Sequence, residues 1–167
     1  MKITTRDVVE LALLTALLLV VQVGLAFLPN IELVSLLIMI YTLVLGRKTL
    51  YIIYSFAILE GVIYGFGVWW IMYLYVWTIL YWIVRLLRLN KSIILWSVIC
   101  AFFGLAFGAL CAVPYAVIGG IMAGFTWWSA GIMFDIIHGV SNFVLVLILF
   151  RPVYHILKRL NRHFLYL

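Results

Sequence analysis

Asp135, His138 and Asn142 stand in an otherwise apolar run from Gly131 to Phe150, in a chain with only five carboxylates and three histidines. With Gly131 they follow i, i+4, i+7, i+11 spacing, which at 100° per residue keeps them within about 60° of arc on one helix face. The remaining surface of the helix is mainly Ile, Val, Phe and Leu. A carboxylate, an imidazole and an amide in one stripe can bind a polar ligand, relay protons or clamp helices together. Nucleophilic catalysis lacks comparable support: no Ser or Cys stands at evident triad spacing from Asp135 and His138, and neither H-E-x-x-H nor G-x-S-x-G occurs. Glu60, Asp135 and His138 are chemically reasonable metal ligands, but one intramembrane histidine is a thin set for a transition metal, so no metal is expected.

The elements that must position these groups follow from composition. The chain is 69% apolar and 10% charged, with a mean hydropathy of +1.31. A water-soluble surface needs roughly a quarter of residues charged, so an integral membrane protein is expected. Apolar segments fall at about 8–28, 30–46, 49–66, 70–87, 92–113 and 131–150. Several approach the ~20 residues that cross ~30 Å of hydrocarbon, and the shorter ones can still cross by local thinning or snorkelling. The expected fold is a single all-α transmembrane domain over residues 1–167 with six spanning helices.

All eleven cations can then lie on one side: Lys2 and Arg6; Arg47 and Lys48; Arg85, Arg88 and Lys91; Arg151, Lys158, Arg159 and Arg162. The positive-inside rule makes that side, and both termini, cytoplasmic. The net charge of +6 is the same asymmetry summed, an orientation signal that meets lipid headgroups rather than nucleic acid. The first apolar run is too long for a cleaved signal peptide, and its removal would leave five spans with inconsistent loop charges. Residues 114–130, "PYAVIGGIMAGFTWWSA", are expected to form an outer loop or short helix over a pocket, because a seventh span would carry the C-terminal cations outside. Cys100 and Cys111 lie roughly 16 Å apart on one helix and cannot bridge each other.

Helical rise sets depth. Glu60 lies roughly 9 Å below the outer end of its segment, and Asp135 and His138 roughly 6–10 Å below the same surface. Trp70, Tyr73, Trp77 and Tyr81 share one face at i, i+3, i+7, i+11, and Trp77 is too deep for an interfacial aromatic belt. The expected pocket therefore has Asp135, His138 and Asn142 as a polar wall, Glu60 opposite, and Trp70, Tyr73 and Trp77 as aromatic surfaces. The competing expectation is a packing clamp, for instance Glu60 with His138. Glu32 opens the second segment, also on the outer side, where no Lys or Arg is expected. A ligand recognised through a carboxylate or phosphate would normally meet a cation there. Small residues recur at four-residue spacing at Ala12 and Ala16, Gly61 and Gly65, Gly104, Gly108 and Ala112, and Gly120 and Gly124, as close helix approach in lipid requires.

The stretches "LALLTALLLV", "FLPNIELVSLLIMIYTLVLGRK" and "GIMFDIIHGVSNFVLVLILFRPVY", in a chain of six-helix length, resemble the membrane-embedded S component of energy-coupling factor (ECF) vitamin transporters. The resemblance covers nearly the whole chain. It implies a subunit of a prokaryotic plasma-membrane importer that binds a vitamin or related micronutrient near the outer face. It also implies association with a transmembrane coupling protein and two cytosolic ATPases, which use the ATP. No enzymatic activity of its own and no covalently bound cofactor are expected; the chain has no G-x-x-x-x-G-K-[ST] loop for a nucleotide. The family's Ala-x-x-x-Ala pattern matches Ala12 and Ala16, which the resemblance assigns to the coupling-protein surface. Lys2 stands where nickel and cobalt members carry a histidine. Overall resemblance and the aromatic surface point to the cobalamin branch, with thiamine or a pyridoxine-like ring as alternatives; pantothenate, folate and biotin are disfavoured by charge. The other classes are a non-transport scaffold and a self-sufficient channel or proton-coupled carrier using Asp135 and His138 as a relay.

Overall fold

The computed structural model describes residues 3–166, with side chains through residue 161, and contains no strand among them. Lys2 and the side chain of Arg162 lie outside the described residues. Five segments are long and apolar enough to cross a membrane: Thr5–Gly24, Val34–Tyr64, Val68–Leu86, Ile93–Gly119 and Ile121–Asn161.

Helix α1 (Thr5–Gly24) starts on a capping box, with the Asp7 amide donating to Thr4 Oγ1 and the Thr4 amide donating to the Asp7 carboxylate. Helix α2 (Val34–Leu45) is buried at every position from Val34 to Thr42. It packs against α1 and against the later helices α5 and α8, as an element without a polar face must. A single 3₁₀ turn, Gly46–Lys48, leads to α3 (Thr49–Tyr64), and Gly46 takes a φ of 61° that a side chain would strain. The chain reverses there. Lys48 pairs with Asp7 at the start of α1, while Tyr64 at the end of α3 and Leu25 just past α1 line one cavity. Helices α1 and α3 are thus parallel, with α2 antiparallel to both.

The expected continuous helix over 70–87 is broken into α4 (Val68–Tyr73) and α5 (Val76–Leu86). At the break the amides of Leu74 and Tyr75 donate to carbonyls three residues back, a 3₁₀ step that changes the helical phase. It also lets the Tyr75 hydroxyl donate to the Leu110 carbonyl at 2.6 Å. Helix α6 (Ile93–Cys111), capped by Ser92, continues through α7 (Val113–Gly119) to Gly120, where φ is 84°. From there α8 (Ile121–Tyr166) runs back for 46 residues, about 69 Å at 1.5 Å per residue. The helix expected at 131–150 therefore extends in both directions. The stretch expected as an outer loop or short helix over 114–130 divides between α7 and the first turns of α8.

The α6–α8 seam is built on glycine. A Cβ on Gly104 would fall 2.9 Å from the backbone of His138 and Gly139, and one on Gly139 would fall 3.0 Å from the Ala101 carbonyl. In lipid, dispersion between closely approaching backbones holds such a seam together. Facing outward, Leu13, Val20, Val62, Phe102, Val140 and Ile148 are exposed, as acyl chains require and water does not tolerate in quantity.

Candidate functional site

At one end of the bundle a cavity of about 450 Å³ opens among the end of α1, the 25–33 loop, α3, α4, α5, α6 and α8. The opposite end holds Lys48 with Asp7, and Arg85 beside Gly46. Among the described residues no Lys or Arg lines the cavity.

One wall is a partly buried contact between Glu32 and His138. Glu32, in the loop before α2, carries two partners: Oε1 lies 3.1 Å from His138 Nε2, and Oε2 accepts from the Ser35 amide at 2.8 Å. The second bond also satisfies a free amide at the start of α2 and sets negative charge against the helix dipole. Burial raises the Glu32 carboxyl, but the His138 imidazole and the Ser35 contact lower it by more, leaving it below its ordinary value. The His138 ring leans on Phe107 at 4.9 Å between centroids. The loop is fastened to α8 by the Ser141 hydroxyl, which donates to the Asn30 carbonyl at 2.9 Å, and Asn30 itself has a left-handed φ of 56°.

The facing wall is aromatic. Ring centroids of Trp69 and Tyr73 are 5.4 Å apart, Tyr73 and Trp77 5.8 Å, and Trp77 and Phe107 5.5 Å, an unbroken run that ends at His138. Gln22 Nε2 donates to the Tyr73 hydroxyl at 3.4 Å. Two buried polar atoms in this lining have no protein partner, Glu60 Oε1 and Trp77 Nε1.

Of the residues expected at a pocket, Glu60, Tyr73, Trp77 and His138 line the cavity, and Trp70, Asp135 and Asn142 do not. Trp70 turns to α3, its indole N–H donating to the Ala57 carbonyl at 2.7 Å and its ring set edge-on to Phe66. Trp69, four residues before Tyr73 on α4, takes its place. Asp135 points into the α6–α8 seam, where Oδ1 accepts from the Gly108 amide at 2.9 Å. Asn142 lies in the same seam, Nδ2 reaching the Cys100 carbonyl at 3.5 Å. The stripe is thus one face of α8 laid against α6, and only His138 reaches the cavity. Its partner is Glu32 rather than Glu60.

Gln22, Tyr64, Trp69 and Phe107 were not read as site residues from the sequence, and Glu32 only as an outer carboxylate. Glu32 carried a usable signal: a carboxylate three residues before Ser35, opening an apolar helix on the same outer side as His138. Among the described residues no three His, Cys, Asp or Glu side chains converge as metal ligands would. Ala12 and Ala16 are exposed in a second, largely apolar groove between α1 and α3, bordered by Tyr51, Ser55 and Leu59.

Asp135→Ala should consequently act on stability. A hydrogen bond to a charged group is worth ~1.5–3 kcal/mol, and loss of the unpartnered Oδ2 offsets part of it, so a cost of about 1–2 kcal/mol is expected. Thermal unfolding of the ligand-free protein should show this fall. Ligand affinity in the remaining folded protein should be near normal, and a large loss of affinity at unchanged stability would put Asp135 back in the site.

Comparison with protein-family models, with curated proteins and with solved structures gave no match for this chain.

Proposed function

We propose that this chain is the substrate-binding membrane subunit of an ECF-type importer, taking up a vitamin or related micronutrient from the outer face of a prokaryotic plasma membrane. The carrying observation is the cavity: about 450 Å³, walled by rings and carboxylates, and set at the end of the bundle away from Lys48 and Arg85. Its size falls within the ~300–1,000 Å³ typical of small-molecule sites. The reversal at Gly46 supports counting Val34–Tyr64 as two crossings, which makes six and leaves both termini on the cytoplasmic side with the cations. At 12 residues α2 is only about 18 Å long, but a helix enclosed by its neighbours need not match the lipid thickness.

Among the substrates, the geometry favours the small alternatives, thiamine or a pyridoxine-like ring, over cobalamin. A corrinoid would leave most of its mass outside such a cavity. The reading makes the chain a non-enzyme whose transport depends on a transmembrane coupling protein and two cytosolic ATPases. The exposed Ala12–Ala16 groove is the docking face that reading requires. A proton relay through Asp135 and His138 draws no support from the geometry, since Asp135 bonds to Gly108 and His138 to Glu32.

Reconstitution tests the proposal. Proteoliposomes holding the chain, an ECF coupling module and internal ATP should concentrate thiamine or pyridoxine, and the chain alone should bind without accumulating. Concentrative uptake by the chain alone would sink the assignment. Ala16→Trp should abolish uptake in the full system while leaving ligand affinity within a few-fold, because bulk on a small-residue face blocks helix approach at a distance from the cavity. Equal loss of binding and uptake would count against a docking role.

A further inference from the structure

The charges around the cavity do not balance. Glu32 is matched by His138 and by the Ser35 amide. Glu60 is 2% exposed, lines the cavity and has no partner at Oε1. An ionised carboxylate this deeply buried is stabilised by a counter-charge, and among the described residues no Lys or Arg lines the cavity. Beside it Trp69, Tyr73 and Trp77 present rings, whose electron-rich faces attract cations more strongly where water is excluded. Trp77 Nε1 adds a buried donor without an acceptor.

We propose that the cavity holds a flat organic monocation, with the Glu60 carboxylate as its counter-charge, the Trp69, Tyr73 and Trp77 rings as its walls, and an acceptor atom on the ligand taking the Trp77 indole N–H. One unmatched carboxylate fits one positive charge. An anion would face two carboxylates, and a neutral ring would leave Glu60 uncompensated. This rests on the cavity being the ligand site of the proposed transporter, but it fails separately. Cation binding by a chain that never works with a coupling module would sink the transporter reading alone; ATP-dependent uptake of an anion would sink the cation assignment alone.

The test is calorimetry on the purified full chain with three probes that share one pyridine ring: 1-methylnicotinamide, nicotinamide and nicotinate, which are cationic, neutral and anionic. Thiamine serves as a larger cation built from two linked aromatic rings. The cationic probes should bind at least about 10-fold more tightly than the neutral and anionic ones. Glu60→Gln should lower cation affinity by about 10- to 100-fold, the worth of a hydrogen bond to a charged group, and leave nicotinamide unchanged. Its ligand-free melting temperature should stay level or rise, since a buried unmatched charge has been removed. Trp69→Leu, outside the packed core, should weaken the cations by a few-fold and supplies the test if Glu60→Gln does not fold. The proposal is overturned if nicotinate or nicotinamide binds as well as the cations, if neither cation binds at millimolar concentration, or if Glu60→Gln lowers stability while the cation preference persists.

Discussion

Gly104→Val should destabilise the protein by at least about 2 kcal/mol, toward the upper part of the ~1–3 kcal/mol range for overpacking. A Cβ at Gly104 already meets the His138 carbonyl carbon and oxygen and the Gly139 nitrogen at 2.9 Å, and these are backbone atoms that no rotamer change can move aside. The branched side chain must therefore part α6 from α8. Phe107 lies on α6 and His138 on α8, so the cavity should widen and ligand affinity fall with stability. Gly131→Ala is the matched control: nothing lies within 4 Å of its added Cβ, and alanine is the better helix former by ~1 kcal/mol, so the result should be neutral to mildly stabilising. Thermal unfolding of both variants separates seam packing from glycine content, and an equal response at the two positions would contradict the seam.

The second large effect is expected at the Glu32–His138 pair. Removing one partner from a hydrogen bond to a charged group typically costs ~1.5–3 kcal/mol, because the other is left uncompensated. Here the side chains are 13% and 4% exposed and border a cavity, so some hydration of the survivor is available. About 2 kcal/mol is accordingly expected for His138→Ala. Glu32→Gln keeps an acceptor for the Ser35 amide and should cost less. The double variant should be less damaged than the sum of the single ones, because it removes the stranded charge along with its partner. Unfolding measurements on the four proteins give the coupling, and additive losses would mean that the 3.1 Å contact carries no energy.

In the wild-type protein the same pair ties the loop at Glu32 to α8, across 106 residues of sequence. This is the kind of contact that a reading by helical face cannot reach. The i, i+4, i+7, i+11 stripe identified a real face, since Asp135, His138 and Asn142 are all buried. Periodicity states which residues share a face but not what that face meets. Two glycines on α6 bring that helix so close that most of the stripe is filled by packing, and only His138 lies where α6 gives way to the 25–33 loop. Glu60 was legible because a carboxylate at that depth has few tolerable surroundings, and its depth followed from helical rise alone. Trp70 and Trp69 could not be told apart, because the choice rests on Trp70 finding the Ala57 carbonyl on α3.

By itself, the sequence determined the all-helical class, the presence of helices long and apolar enough to cross a membrane, the separation of Lys48 and Arg85 from Glu32 and Glu60 and the close approach of helices bearing small residues. Each follows from local composition or from a period along one helix, and does not depend on where the helices go. The tertiary structure alone decided the continuity of α8 from Ile121 to Tyr166, the partner of His138, the choice of Trp69 over Trp70 and the isolation of Glu60. These depend on which backbone comes within hydrogen-bond range of which side chain. That is set by a few glycine contacts and turns between segments far apart in the chain, where neither hydropathy nor helical period carries any information.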